Sequence, residues 1–419
     1  FQSMGEDSAF AMFETMGGDV SALEGDQLAG LFDAMESDHM HAIGHEELFE
    51  SAENMTADNF MAMDSDSAFG MFDAMGSDVA MGLEGDQLAG MFGAMEHDQI
   101  GGMHGDTVFD AFESMGTEGM MSMDGGSMAG MFDAMGPDHF GDIGGDQLFE
   151  MTGNMDGEHF MAMESDNAFG MFETMGNEAV MNMEGDQIGG MFGAMEAHHM
   201  HDIGGEHLFE MAGNMSGDNF MAMDSDSAFG MFEAMGSEMA MGLEGDQLSG
   251  MFGAMEHDQI GHMHGDVVFD AFESMGTDGM MSMDGGSMAG MFDAMGPEHF
   301  GSIDGIEMFE MAGNMSGENF MEMESNSAFG MFETMGADMT VAMGGDQIGG
   351  MLGAMEAHHM HDIGGNQLFE LAGSMTGDHF MAMDANSAFG MLDAMGTDMA
   401  LSMGGDQLAG MFGAMEASQ

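Results

Sequence analysis

Not one lysine or arginine occurs in the 419 residues, against 78 aspartates and glutamates. An acidic side chain here has no ordinary salt-bridge partner. Its repulsion from like neighbours must be met by water, helix N-termini, protonated histidine or bound cations. Nucleic acids and anionic membrane surfaces require a basic footprint, so both are excluded as partners. Phosphate chemistry that depends on arginine or lysine is excluded with them. Cysteine is also missing, which removes disulfides, thiolate nucleophiles and zinc–thiolate sites. No apolar run reaches the roughly 18 residues that a spanning helix needs, so no membrane insertion is expected. Acidity with only 8% aromatics is a mark of disorder, but 44% apolar residues in a strict pattern argue against it. The opening Phe1–Met4, "FQSM", looks like the tail of an expression linker and is set apart from the fold.

What is present is a rhythm. Methionine recurs at Met35, Met55, Met75 and Met95 and at every twentieth position to Met415. A second apolar column runs Ile43, Met63, Leu83, Met103, Met123 and Ile143 and continues to Met403. Residues 5–419 therefore read as one array of about twenty-one units with no separate domain. An eight-unit block is duplicated, at about 60–219 and 220–379: the stretch 67–106 returns nearly unchanged at 227–266.

Within a unit, Leu88, Met91, Phe92 and Met95 fall on one helical face. Asp86 precedes them, at the place where a carboxylate caps free N–H groups and meets the positive end of the dipole. A second apolar pair, Ile100 and Met103, follows Asp98; in a sister unit Pro137 suits the first turn of a second helix. The predicted fold is an all-α solenoid with two short helices per unit, of about ten and about six to seven residues. The alternative is an α/β solenoid with one strand and one helix per unit, since "VMNME" and "FMAME" also alternate. In either case a lone unit cannot bury its apolar side, so units must stack.

The rhythm of "GDQLAGMFGAM" and "PDHFGDI" is similar to the short-helix tandem arrays of very large secreted or surface proteins of Gram-negative bacteria. That resemblance implies an extracellular or cell-surface, spacer-like or adhesive role with a surface or matrix partner. It carries no catalytic residues to transfer. The methionine richness and the missing cations depart from the pattern.

Two kinds of metal candidate emerge. The acids Asp66, Asp86, Asp106, Asp226, Asp246 and Asp266 recur in register and read either as helix caps or as a ladder holding Ca²⁺ or another hard divalent cation. "MDSDSAFG" lacks the spacing of an EF-hand loop, so no sharp calcium motif supports the ladder. Softer metals, Cu, Zn or Ni, point to histidine clusters: His198, His199 and His201, their duplicates His358, His359 and His361, and the pair His262 and His264. The plainer account is polar-for-polar replacement, His198 standing where other units carry Asp98 or Asp138, and His199 where they carry His139, His159 or Gln99. Methionine in the columns is a core filler before it is a copper ligand; Met61, Met81, Met121, Met161 and Met181 lie outside them.

Near-identical surroundings repeated along a chain offer no singular pocket, so no enzyme is expected. Neither end carries an atypical closing unit, which points to a fragment of a longer array or to head-to-tail filaments. The functional expectation is an extended acidic structural or adhesive element stabilised by cations. The alternative is a His/Met-rich protein that binds copper or another transition metal.

Overall fold

The computed structural model describes residues 4–416; of the linker-like opening, Phe1–Ser3 lie outside the described residues. Among the described residues the chain is all-α, with 38 α-helices and 76% helix. No strand occurs among the described residues, which excludes the strand-plus-helix alternative. Long and short helices alternate in each twenty-residue unit, as in Ser65–Met75 then Ser77–Ala80, and Gly125–Met135 then Pro137–Ile143. Two long elements, Gly105–Met120 and Gly265–Ser282, are each such a pair joined through a bend at Gly116 and Gly276.

Residue contacts divide the chain into two compact units, Phe1–Met200 and His201–Gln419. The same alternation of helices fills both.

Three local devices write the alternation. Glycine at positive φ turns the chain between helices, as at Gly176 (φ 77°), a conformation costly for any residue with a Cβ. Pro137 occupies the first turn of its helix as expected, where its missing N–H costs nothing. The helix starts need correction. Ser65–Met75 and Gly85–Gly93 begin one residue after Asp64 and Glu84, which hold the N-cap position. Asp64 accepts the Ser67 N–H at 2.8 Å, and Gln87 Oε1 accepts the Glu84 N–H at 3.0 Å. Asp66, Asp86, Asp106, Asp226, Asp246 and Asp266 lie in the first turn instead, close to the dipole but not capping.

Packing follows a longer step than the sequence rhythm. Many short helices lie on the long helix that starts about 28 residues further on, as Gly157–Met161 does on Gly185–Ala194. The approach is so close that a Cβ on Gly190 would stand 2.1 Å from the Gly157 carbonyl oxygen. Buried Gln187 fastens the same contact, donating to Thr152 O at 2.9 Å and Met155 O at 2.6 Å. Gln247 does so to Ala212 O and Met215 O in the second compact unit. Elsewhere a serine takes over: Ser127 Oγ donates to Met95 O at 3.1 Å. Side chains thus reach carbonyls about 32 to 35 residues back along the chain, at or just past helix ends, where carbonyls lack a full set of helical partners.

The methionine columns form the core. Met75 and Met95 are buried, as are Met63, Leu83 and Ile143 of the second column, with Phe92, Phe132 and Phe192 fully enclosed between them. Each such side chain contributes about 2 kcal/mol relative to exposure. Of the methionines outside the columns, Met61, Met121 and Met181 are exposed and Met81 and Met161 half-buried.

Candidate metal centre

The thirty-three-residue step decides what faces what. Asp66 Oδ1 accepts from Gln99 Nε2 at 2.9 Å, and Asp226 Oδ1 from Gln259 Nε2 at 2.8 Å. Asp106 stands 3.3 Å from His139 Nε2, and Asp266 lies 3.2 Å from His299 Nε2. These first-turn acids therefore face a neutral or titratable donor on the next coil of the chain. Asp86 and Asp246 are exposed. The histidine that faces such an acid also lies against a phenylalanine, as His299 stacks on Phe269 with ring centroids 4.8 Å apart.

His199 belongs to this series. It is buried, stacks on Phe169 at 4.4 Å, and places Nε2 3.3 Å from Asp166 Oδ1. Its Nδ1 lies 3.1 Å from Ser165 Oγ, which itself accepts the Glu196 N–H at 2.8 Å. One feature separates it from its relatives: the preceding residue, acidic as Asp98, Asp138 or Glu298 elsewhere, is here His198. The two rings lie 3.9 Å apart, and His198 Nδ1 is held 3.3 Å from Glu196 Oε2. Asp166, His198 and His199 can each offer one ligand atom, all within 4.8 Å of one another. Two imidazoles and a carboxylate form a donor set for a borderline divalent ion.

The other predicted clusters do not form this way. Among the described residues, His201, His262 and His264 join no group of three ligand atoms. His201 is exposed. His262 Nδ1 bonds to the Asp258 carbonyl of its own turn, and His264, at a helix start, lies 3.7 Å from Asp266. His361 Nε2 lies 3.3 Å from Asp393. His159 is not equivalent to His199, since its Nδ1 accepts the Asp156 N–H at the start of its own helix. His358 and His359 reproduce the two rings 3.8 Å apart, with Ser325, Phe329 and Glu356 in the same places. The position of Asp166, however, is occupied by Asn326. Burial, and next the adjacent His358, hold the His359 imidazole below its usual pKa.

Sequence reasoning missed Asp166 as a neighbour of His198 and His199, and it missed a part-buried His–Asp pair as well. His97 Nε2 lies 2.8 Å from Asp133 Oδ2, whose other oxygen accepts the Glu164 N–H at 2.9 Å. The duplicate is His257 with Asp293 at 2.9 Å. Burial raises the Asp293 carboxyl above its ordinary pKa, opposed by the hydrogen bonds from Glu324, Ser327 and His257.

Hollows in the surface recur rather than concentrate. One is lined by Gly253–Asp258 with Asp284 and Ser287, and its counterpart by Gly353–Glu356 with Asp384 and Ser387. No protein-family model and no curated protein matches the chain. Among solved structures it is similar to an engineered protein at 10% identity, over 93% of this chain and 98% of that one, with a TM-score of 0.30.

Proposed function

We propose that this protein is an acidic structural or adhesive repeat element whose folded state depends on divalent cations. The observation that carries the reading is the exposed carboxylate edge repeated from unit to unit: Glu84 with Asp86, Glu184 with Asp186, and Glu244 with Asp246 are all solvent-exposed. No lysine or arginine offsets them. Like charges at the edges of successive units repel at low salt, and a hard divalent ion relieves the repulsion more efficiently than a diffuse monovalent atmosphere. Ca²⁺ or Mg²⁺ should raise the melting temperature well beyond monovalent salt of the same ionic strength. Coincident melting curves in EDTA and in millimolar calcium would remove the cation dependence from the proposal.

Self-association is a second reading, supported by exposed apolar side chains on the last described units, Leu401 at 71% and Phe412 at 51% exposure. A mass that rises with concentration in light scattering would support it. A constant monomer mass would reject it.

A further inference from the structure

We infer that Asp166, His198 and His199 form a single transition-metal site, of the Zn²⁺, Ni²⁺ or Cu²⁺ type, and that the duplicated block carries the same scaffold without the site. The set differs from the sequence expectation in both directions: His201 leaves it, and Asp166 enters from the preceding coil of the chain. Asp166 is exposed and His199 buried, so an ion could enter from solvent and be held against a fixed ring.

The surroundings settle which nitrogens are available. Glu196 Oε2 lies 3.3 Å from His198 Nδ1 and favours the tautomer with its proton there, which turns the Nε2 lone pair to the metal. For His199, the Ser165 hydroxyl already accepts the Glu196 N–H, and it can either donate to Nδ1 or accept from it. In the metal-free chain the first arrangement puts a proton on Nε2, pointing at Asp166. In the metal-bound chain the second puts the proton on Nδ1 and the Nε2 lone pair on the metal. A hydroxyl that serves both tautomers is the kind of outer partner that orients ligating histidines. Stacking on Phe169 fixes the ring plane in both.

At the other cross-coil pairs, Asp106 with His139 and Asp266 with His299, a second imidazole, His104 or His264, also approaches the carboxylate, at 3.8 or 3.7 Å. Among the described residues, however, those three side chains do not bring their ligand atoms within 4.8 Å of one another. At 358–359 two imidazoles are present with the same serine, phenylalanine and glutamate, but a neutral amide stands in the carboxylate's place. An amide oxygen is a poor ligand for these ions, and the nearby carboxylate, Glu356, is turned to His358 Nδ1 rather than standing in the place of Asp166.

The test is a Zn²⁺ titration of the full chain by calorimetry, in millimolar Mg²⁺ so that scattered carboxylates are already occupied. Co²⁺ absorption reports nitrogen ligation in parallel. Wild type should bind one equivalent tightly. Asp166→Asn should weaken that binding at least tenfold, and Asn326→Asp should add a second equivalent. Both substitutions exchange residues that the two copies already carry, so the fold tolerates them, and circular dichroism verifies this. Unchanged affinity in Asp166→Asn, or a single equivalent in Asn326→Asp, would overturn the inference.

Discussion

Asp166 and Asn326 hold the same place in two copies of one block, over the same serine, the same phenylalanine and the same pair of histidines. In the first copy the buried imidazole faces a carboxylate at 3.3 Å. In the second an amide, Asn326, takes that sequence position, and the imidazole is held below its ordinary pKa by burial and by His358. The difference teaches that a histidine's chemistry here is set by the residue thirty-three positions earlier, not by its own run of sequence. "EAHHMHDIGG" is identical in both copies, yet the two runs have different surroundings.

The comparison can be broken most forcefully at the contact that carries both clusters. Gly190→Ala should cost about 3 kcal/mol, since the new Cβ meets a backbone carbonyl that has no side-chain freedom to yield. Gly350→Ala should cost the same, because its Cβ would lie 2.0 Å from the Gly317 carbonyl oxygen. Urea midpoints measure both, and a clear inequality would show that the two copies are not held alike. Next in size is the clamp: Gln187→Leu takes the side-chain donor from the Met155 and Thr152 carbonyls, of which Thr152 O keeps only the Met155 N–H, and should cost about 2 kcal/mol. Gln347→Leu, which takes the same donor from Met315 O and Ala312 O, should match it.

The smallest effects are electrostatic and differ in sign. His359 has a folded pKa below its unfolded value of about 6.5, so its contribution is present above that value and is lost as pH falls through the folded pKa. His299 is shifted the other way, chiefly by its bond to the Met295 carbonyl, with Asp266 adding to it. Its contribution is complete below about 6.5 and is lost as pH rises through the folded pKa. His359→Gln should therefore flatten the loss of stability on the acid side, and His299→Gln the loss on the alkaline side. Chemical denaturation between about pH 5 and 8 reads both, and a swap of the two effects would reverse the assignment.

Much of the fold was legible because methionine at every twentieth position, Leu88–Met95 at helical spacing and Pro137 at a helix start all state local rules. The caps were misplaced by two residues because Glu84 and Asp86 are both acidic, and the helix opens on Gly85, which carries no helical preference. The site was half legible. His198 and His199 announce themselves as neighbours in the chain, but Asp166 becomes their neighbour only through the winding. A twenty-residue period shows how long a unit is. It does not show that a short helix lies on the long helix three elements later, nor that Asp133 would be buried against His97.

The claim beneath all of this is that unit order is fixed by side chains that reach the next coil, so neighbours matter more than chain length. Thermal unfolding of two deletions tests it directly. Removing residues 227–386 joins Asp226 to Ser387, which stands as Ser227 did, and restores equivalent neighbours throughout. Removing residues 107–126 takes out one unit, moves Asp133 out of reach of His97 and leaves it buried without that partner. The large deletion should melt close to wild type and the small one clearly below it. A one-unit deletion as stable as the eight-unit one would show the units to be interchangeable, and would contradict the account.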